Sequence, residues 1–95
     1  MLIAKSPVLV KGDDRRRVIL NYNEKPGEFR IAVSSLYMND GKLYEDSGNG
    51  LYTKDERRAQ RLFIDNWETL TDYGFAIDQD DLAEGGIIDG LLHDS

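Results

Sequence analysis

Cysteine is absent from the 95 residues. Disulfides, thiolate catalysis and cysteine zinc sites are therefore excluded, and the composition fits a reducing compartment. Histidine occurs once, as His93 near the end of the sequence. A general base must be held in a defined place, so this imidazole is expected to be solvated. No serine sits in a Gly-x-Ser-x-Gly elbow, and there is no Gly-x-x-x-x-Gly-Lys phosphate loop. Long apolar runs are also missing. The opening Met-Leu-Ile-Ala-Lys-Ser-Pro is broken by Lys5 and does not read as a signal peptide, and no stretch approaches the length of a membrane span. These absences lead to the expectation of a cytoplasmic non-enzyme with no cofactor, no metal and no membrane partner.

Positive charge runs out early. Every lysine and arginine lies at or before Arg61, whereas Asp65, Glu68, Asp72, Asp78, Asp80, Asp81, Glu84, Asp89 and Asp94 follow it. The net charge of −6 is thus concentrated in the last third. Such asymmetry points to an interaction surface or to a solvated acidic face.

What is present is dominated by the stretch from Thr53 to Phe75. Ala59, Leu62, Phe63, Trp67, Leu70 and Tyr73 recur at steps of three or four and form one apolar stripe. Thr53 and Glu56 have the spacing of a capping box, and Asp55 and Glu56 favour the positive end of a helix dipole. Gly74 suits a left-handed stop, with Phe75 folding back on Leu70 as in a Schellman cap. Trp67 lies mid-stripe and is expected in the core.

Ahead of this helix the pattern changes to period two. Leu2 to Val10, interrupted by Pro7, reads as an edge strand or two short pieces. Arg15 to Asn23 alternates with Val18, Leu20 and Tyr22 on one face, and Glu28 to Met38 places Phe29, Ile31, Val33, Ser35 and Tyr37 together. Pro26-Gly27, Asp40-Gly41 and Gly48-Asn49-Gly50 are turn chemistry. Lys42 to Asp46 is a shorter strand. The expected fold class is α+β: an antiparallel three- to four-stranded meander with one amphipathic helix packed on one face, followed by a short acidic C-terminal helix or tail. Residues 1–77 form the expected single domain. Residues 78–95 are expected to dock on it or to stay partly mobile until a partner orders them.

Asp78-x-Asp80 invites comparison with a calcium loop. Counted from Asp78, position five is Leu82 and position twelve is Asp89; counted from Asp80, position twelve is Leu91. The ligand pattern fails both ways.

From Gly27 to Trp67 the spacing resembles the arm-type DNA-binding domain of phage tyrosine integrases. Phe29 follows Gly27, Gly41-Lys42 forms the hairpin, and Gly50-Leu51-Tyr52-Thr53-Lys54-Asp55-Glu56 enters the helix. The resemblance implies a sheet laid against a DNA groove. It departs at Leu43-Tyr44-Glu45-Asp46, where a basic strand is expected, and at Arg57, where alanine is expected. The order of elements is also similar to that of Whirly-type single-stranded DNA-binding coactivators.

Two functional expectations follow. The first is a small non-enzymatic protein-binding module, such as a phage or mobile-element regulator or inhibitor, meeting a protein with a basic, nucleic-acid-binding surface as a DNA mimic would. Asp78, Asp80, Asp81, Glu84 and Asp89 would supply charge, and Leu82, Ile87, Ile88, Leu91 and Leu92 apolar anchors. The second is a nucleic-acid-binding sheet with Arg15, Arg16, Arg17, Arg30, Lys42, Lys54, Arg57 and Arg58 on phosphates and Tyr37, Tyr44 or Tyr52 stacking on bases. The net charge favours the first. An unpaired edge strand also offers a route to a homodimer.

Overall fold

The computed structural model describes residues 1–79. The strands are β1 (Leu2–Lys5), β2 (Leu9–Lys11), β3 (Asp14–Asn23), β4 (Glu28–Asn39), β5 (Lys42–Ser47), β6 (Leu51–Thr53) and β7 (Ala76–Ile77), with one helix, α1 (Glu56–Asp72), before β7. The expected α+β architecture is present. The expected helix or tail lies, from Asp80 onward, outside the described residues.

β3 and β4 pair antiparallel along their length, with Val18 opposite Val33 and Leu20 opposite Ile31. The outer strands are each broken in two. β1 and β2 both pair with β3, β5 and β6 both pair with β4, and β7 adds to the free side of β2. Pro7 explains the first break, because it has no N–H for the ladder. Ser6 repairs it: its backbone N–H donates to Val18 O at 2.9 Å, and its hydroxyl accepts from Val18 N–H at 2.9 Å. Two short pieces therefore occupy the Leu2 to Val10 stretch.

Between β4 and β5 the chain turns through Asp40 (φ 53°) and Gly41 (φ 76°). Positive φ at both central residues is what a two-residue hairpin turn requires, and Asp-Gly tolerates it.

The helix begins two residues later than the Thr53 capping box implies. Thr53 is still in β6, opposite Phe29, and Asp55 is the N-cap. The Asp55 carboxylate accepts the N–H groups of Arg57 (2.9 Å) and Arg58 (3.3 Å), while Thr53 Oγ1 accepts from Asp55 N–H. An anionic cap at the positive helix end replaces the reciprocal box. The stop matches the Schellman expectation. Phe75 N–H donates to Leu70 O and Gly74 N–H to Thr71 O, each at 3.0 Å, with Gly74 at φ 100°.

Ala59, Phe63 and Leu70 of α1 and Phe75 just after it join Leu9, Val18, Leu20 and Ile31 in one buried cluster. Trp67 packs at its margin, edge-on to Phe63 at 6.2 Å between ring centroids. Phe63 and Ile64 are chain neighbours in α1, one buried against the sheet and the other exposed, at 8% and 51%. Phe63→Ala is expected to lower unfolding stability in urea by about 3–4 kcal/mol, and Ile64→Ala by less than about 0.5 kcal/mol. Asp55→Ala should cost about 1 kcal/mol through the lost cap.

Candidate functional site

In β3, three consecutive arginines point to alternate faces, so they form no common patch. Each instead meets a carboxylate. Arg15 pairs with Asp78, Arg17 with Glu45, and Arg16 donates twice to Asp14, at 3.0 and 2.9 Å. Arg16 also lies over the Phe75 ring, 5.4 Å from its centroid. Arg30 in β4 turns onto the second outer-strand break, donating to Ser47 Oγ at 2.7 Å and Gly48 O at 2.6 Å. Its stem also lies against Gly50, where a β-carbon would come within 2.7 Å of Arg30 Cγ. Glycine is needed there for this close approach. Four of the cations considered for phosphate contact are therefore engaged by the protein itself.

Asp78 is the only described member of the acidic set expected to face a partner. It is 8% exposed, donates its backbone N–H to Val8 O at 2.8 Å and faces Arg15 with its carboxylate. Asp80, Asp81, Leu82, Glu84, Ile87, Ile88, Asp89, Leu91 and Leu92 lie outside the described residues. All 12 cations of the chain lie within them, so the described residues are close to neutral.

The sheet face turned away from α1 is also buried in mid-strand. Val8, Ala32, Ser34 and Leu36 are 5% exposed or less. Alternation alone favours the set from Phe29 to Tyr37 as the inner face. In fact Ser35 and Tyr37 of that set are exposed, while Ala32, Ser34 and Leu36 are covered. Arg17 lies opposite Ser34 and Glu45 opposite Leu36, so their ion pair runs diagonally across β4. The Ser34 hydroxyl is buried beneath this pair and makes no hydrogen bond of normal geometry within the described residues. Partial burial pushes the Glu45 carboxyl up. The Arg17 bond and charge, the nearby Ser34 hydroxyl and the Lys5 charge outweigh it, and the net shift is downward.

What the described surface offers outward lies elsewhere. At the β4–β5 hairpin Tyr37 and Tyr44 are cross-strand partners whose rings stack at 5.6 Å, and both are exposed. On the opposite face of the hairpin Met38 and Leu43 form a second exposed pair, 63% and 46% accessible. Tyr37 donates its hydroxyl to Asp46 at 3.0 Å. That bond, then local desolvation, then the Asp46 charge hold the phenol above its ordinary pKa. β5 is exposed at all six residues and pairs only with β4, leaving one edge open among the described strands. At the start of α1, Lys54, Arg57, Arg58 and Arg61 are exposed, and the ion pairs of the described residues do not include them. Lys42 is exposed at the hairpin tip.

Tyr37 and Tyr44 are visible in the sequence as candidate stacking groups. The apolar pair Met38 and Leu43 is not singled out there, although the Asp40-Gly41 turn fixes the register that joins them. Among the described residues no group of histidines and carboxylates could hold a metal ion, and no helix is long and apolar enough to cross a membrane. No protein-family model, curated protein or solved structure matches the chain.

The Glu45 carboxyl titrates below its ordinary range in the folded protein, so its charge stabilises the fold above the unfolded-state pKa. That contribution is lost as pH falls through the folded-state value. Glu45→Gln should be less stable than wild type by about 1–2 kcal/mol at neutral pH, because the largely buried Arg17 guanidinium loses the Glu45 charge. The gap should close on acidification below the usual glutamate range, measured by urea unfolding across pH.

Proposed function

We propose that the protein is a small non-enzymatic protein-binding module that engages a basic protein surface. It meets its partner through the β4–β5 hairpin, and the acidic residues after Asp78 supply electrostatic attraction. The observation that carries this reading is the hairpin itself. Tyr37, Met38, Leu43 and Tyr44 are large, exposed and adjacent to a strand edge left open among the described residues. Tyrosine and methionine are enriched at the centres of protein interfaces, and an open edge can accept a partner strand.

Charge supports the same choice. Arg15, Arg16 and Arg17 are matched by Asp78, Asp14 and Glu45, which leaves little of the sheet's positive charge for phosphates. Asp80, Asp81, Glu84, Asp89 and Asp94 carry most of the net negative charge. A partner that itself binds nucleic acid has the complementary surface, and this chain would compete for it as a DNA mimic. Regulation or inhibition of such a partner, as by a phage or mobile element, is the corresponding role. Nucleic-acid binding by Lys42, Lys54, Arg57 and Arg58 is the competing reading, because these cations are exposed and enter no ion pair among the described residues.

Affinity capture from an extract of the source cells separates the two. The full chain is compared with Met38→Asp/Tyr44→Asp and with a chain ending at residue 79. A basic protein should be retained after nuclease treatment. Its affinity should fall about tenfold or more in the hairpin variant. The shortened chain should bind more weakly at low salt and nearly as well as the full chain at high salt. Retention that disappears with nuclease, or that neither change affects, would refute the reading.

A further inference from the structure

The outward face of α1 has a charge order that its own helix does not favour. Arg57 and Arg61 lie towards the positive N-terminal end, and Glu68 and Asp72 towards the negative C-terminal end. The helix dipole prefers the reverse arrangement. Arg57 and Arg61 are four residues apart, as are Glu68 and Asp72, so each pair places like charges on adjacent turns. None of the four takes part in an ion pair within the described residues, so no ion pair there offsets this layout. Between the two pairs lies Ile64, an aliphatic side chain 51% exposed at the middle of a charged stripe.

These positions lie along one side of the helix, opposite Ala59, Phe63 and Leu70. The stripe is self-complementary when reversed. An antiparallel copy that sets Arg57 against Asp72 necessarily sets Arg61 against Glu68, because both spacings are four residues, about 6 Å along the axis. The two-fold axis then falls between positions 64 and 65, where Ile64 meets Ile64 of the second copy. Asp65, one turn before Glu68, comes beside the same incoming arginine.

We propose that two copies of the chain associate through this face of α1, as an antiparallel helix pair with the Ile64 side chains at the dyad. Four reciprocal charge pairs flank a centre where Ile64 and Asp65 of each copy lie beside the dyad, and each contact is repeated by symmetry, as an isologous interface requires. One face of a 17-residue helix about 25 Å long is a small contact. It belongs with the weak, salt-sensitive class of association below about 1,200 Å² of total buried area. The contact leaves the β4–β5 hairpin free, so it stands independently of the binding function proposed above.

Sedimentation of the full chain over a concentration series reaching the millimolar range tests this directly. At low salt a reversible dimer is expected, and raising the salt to molar levels should weaken it about tenfold or more. Arg57→Glu/Arg61→Glu makes the face wholly acidic, and Glu68→Arg/Asp72→Arg makes it wholly basic; each variant alone should be monomeric. Both changes improve the match to the helix dipole, so circular dichroism should show α1 intact. Mixed in equal amounts, the two variants should form a heterodimer, and a chain carrying all four changes should dimerise with itself. Ile64→Asp should weaken the wild-type dimer. A monomer at every concentration would overturn the proposal. So would a dimer that either double variant preserves, as β5 edge pairing would produce, or a mixture that stays monomeric.

Discussion

The seating of α1 on the inner face of β3 and β4 is the interaction on which the rest of the molecule depends. A 17-residue helix is marginal alone in water, and so is a small sheet with one bare apolar face. Phe63, Ala59 and Leu70 against Val18, Leu20 and Ile31 solve both problems with one contact. The Schellman turn at Gly74 then folds Phe75 back beneath the helix and aims the chain at β2, where β7 adds to the edge. A single packing decision therefore places the helix, its stop and the last described strand. It also decides which side of α1 faces water, and hence that Arg57, Arg61, Glu68 and Asp72 form an outer stripe.

Charge is handled differently on the sheet and on the helix. In the sheet, strand alternation and register bring Arg15, Arg16 and Arg17 to carboxylates contributed by β7's end, the start of β3 itself and β5. The Arg15–Asp78 and Arg17–Glu45 pairs tie the outer parts of the sheet to β3. On the helix the cations and carboxylates are exposed and separated along the axis. Among the described residues, α1 thus presents exposed charge of both signs, while the hairpin supplies exposed aromatic and thioether surface. A partner reading the molecule meets apolar chemistry at one end of the sheet and charge along the helix.

The elements themselves were readable from residue order. Period two became strands, period three-to-four became one helix, Pro7 split the first strand, Asp40-Gly41 made a hairpin and Gly74 ended the helix. The cap falls at Asp55 and not at Thr53 because Thr53 has two competing fates, and its ladder position opposite Phe29 prevails. In β4, alternation identifies a face without saying how far cover extends along it. The helix does not reach Ser35 or Tyr37, and the Arg17–Glu45 pair closes over Ser34 on the other side. The candidate site was less legible than the fold. Long cationic side chains can reach several partners, and their spacing in sequence does not show which carboxylate will be nearest.

Residue order alone therefore determined the class of the fold, the position of its single described helix and the concentration of negative charge towards the end of the chain, because these depend on local periodicity and composition. Only the tertiary structure decided which charges are neutralised internally and which remain available. Arg15 meets Asp78, 63 positions further along the chain, and Arg17 meets Glu45, 28 positions further along. Such pairings exist only after the strands have found their register and α1 has turned the chain back to the sheet edge.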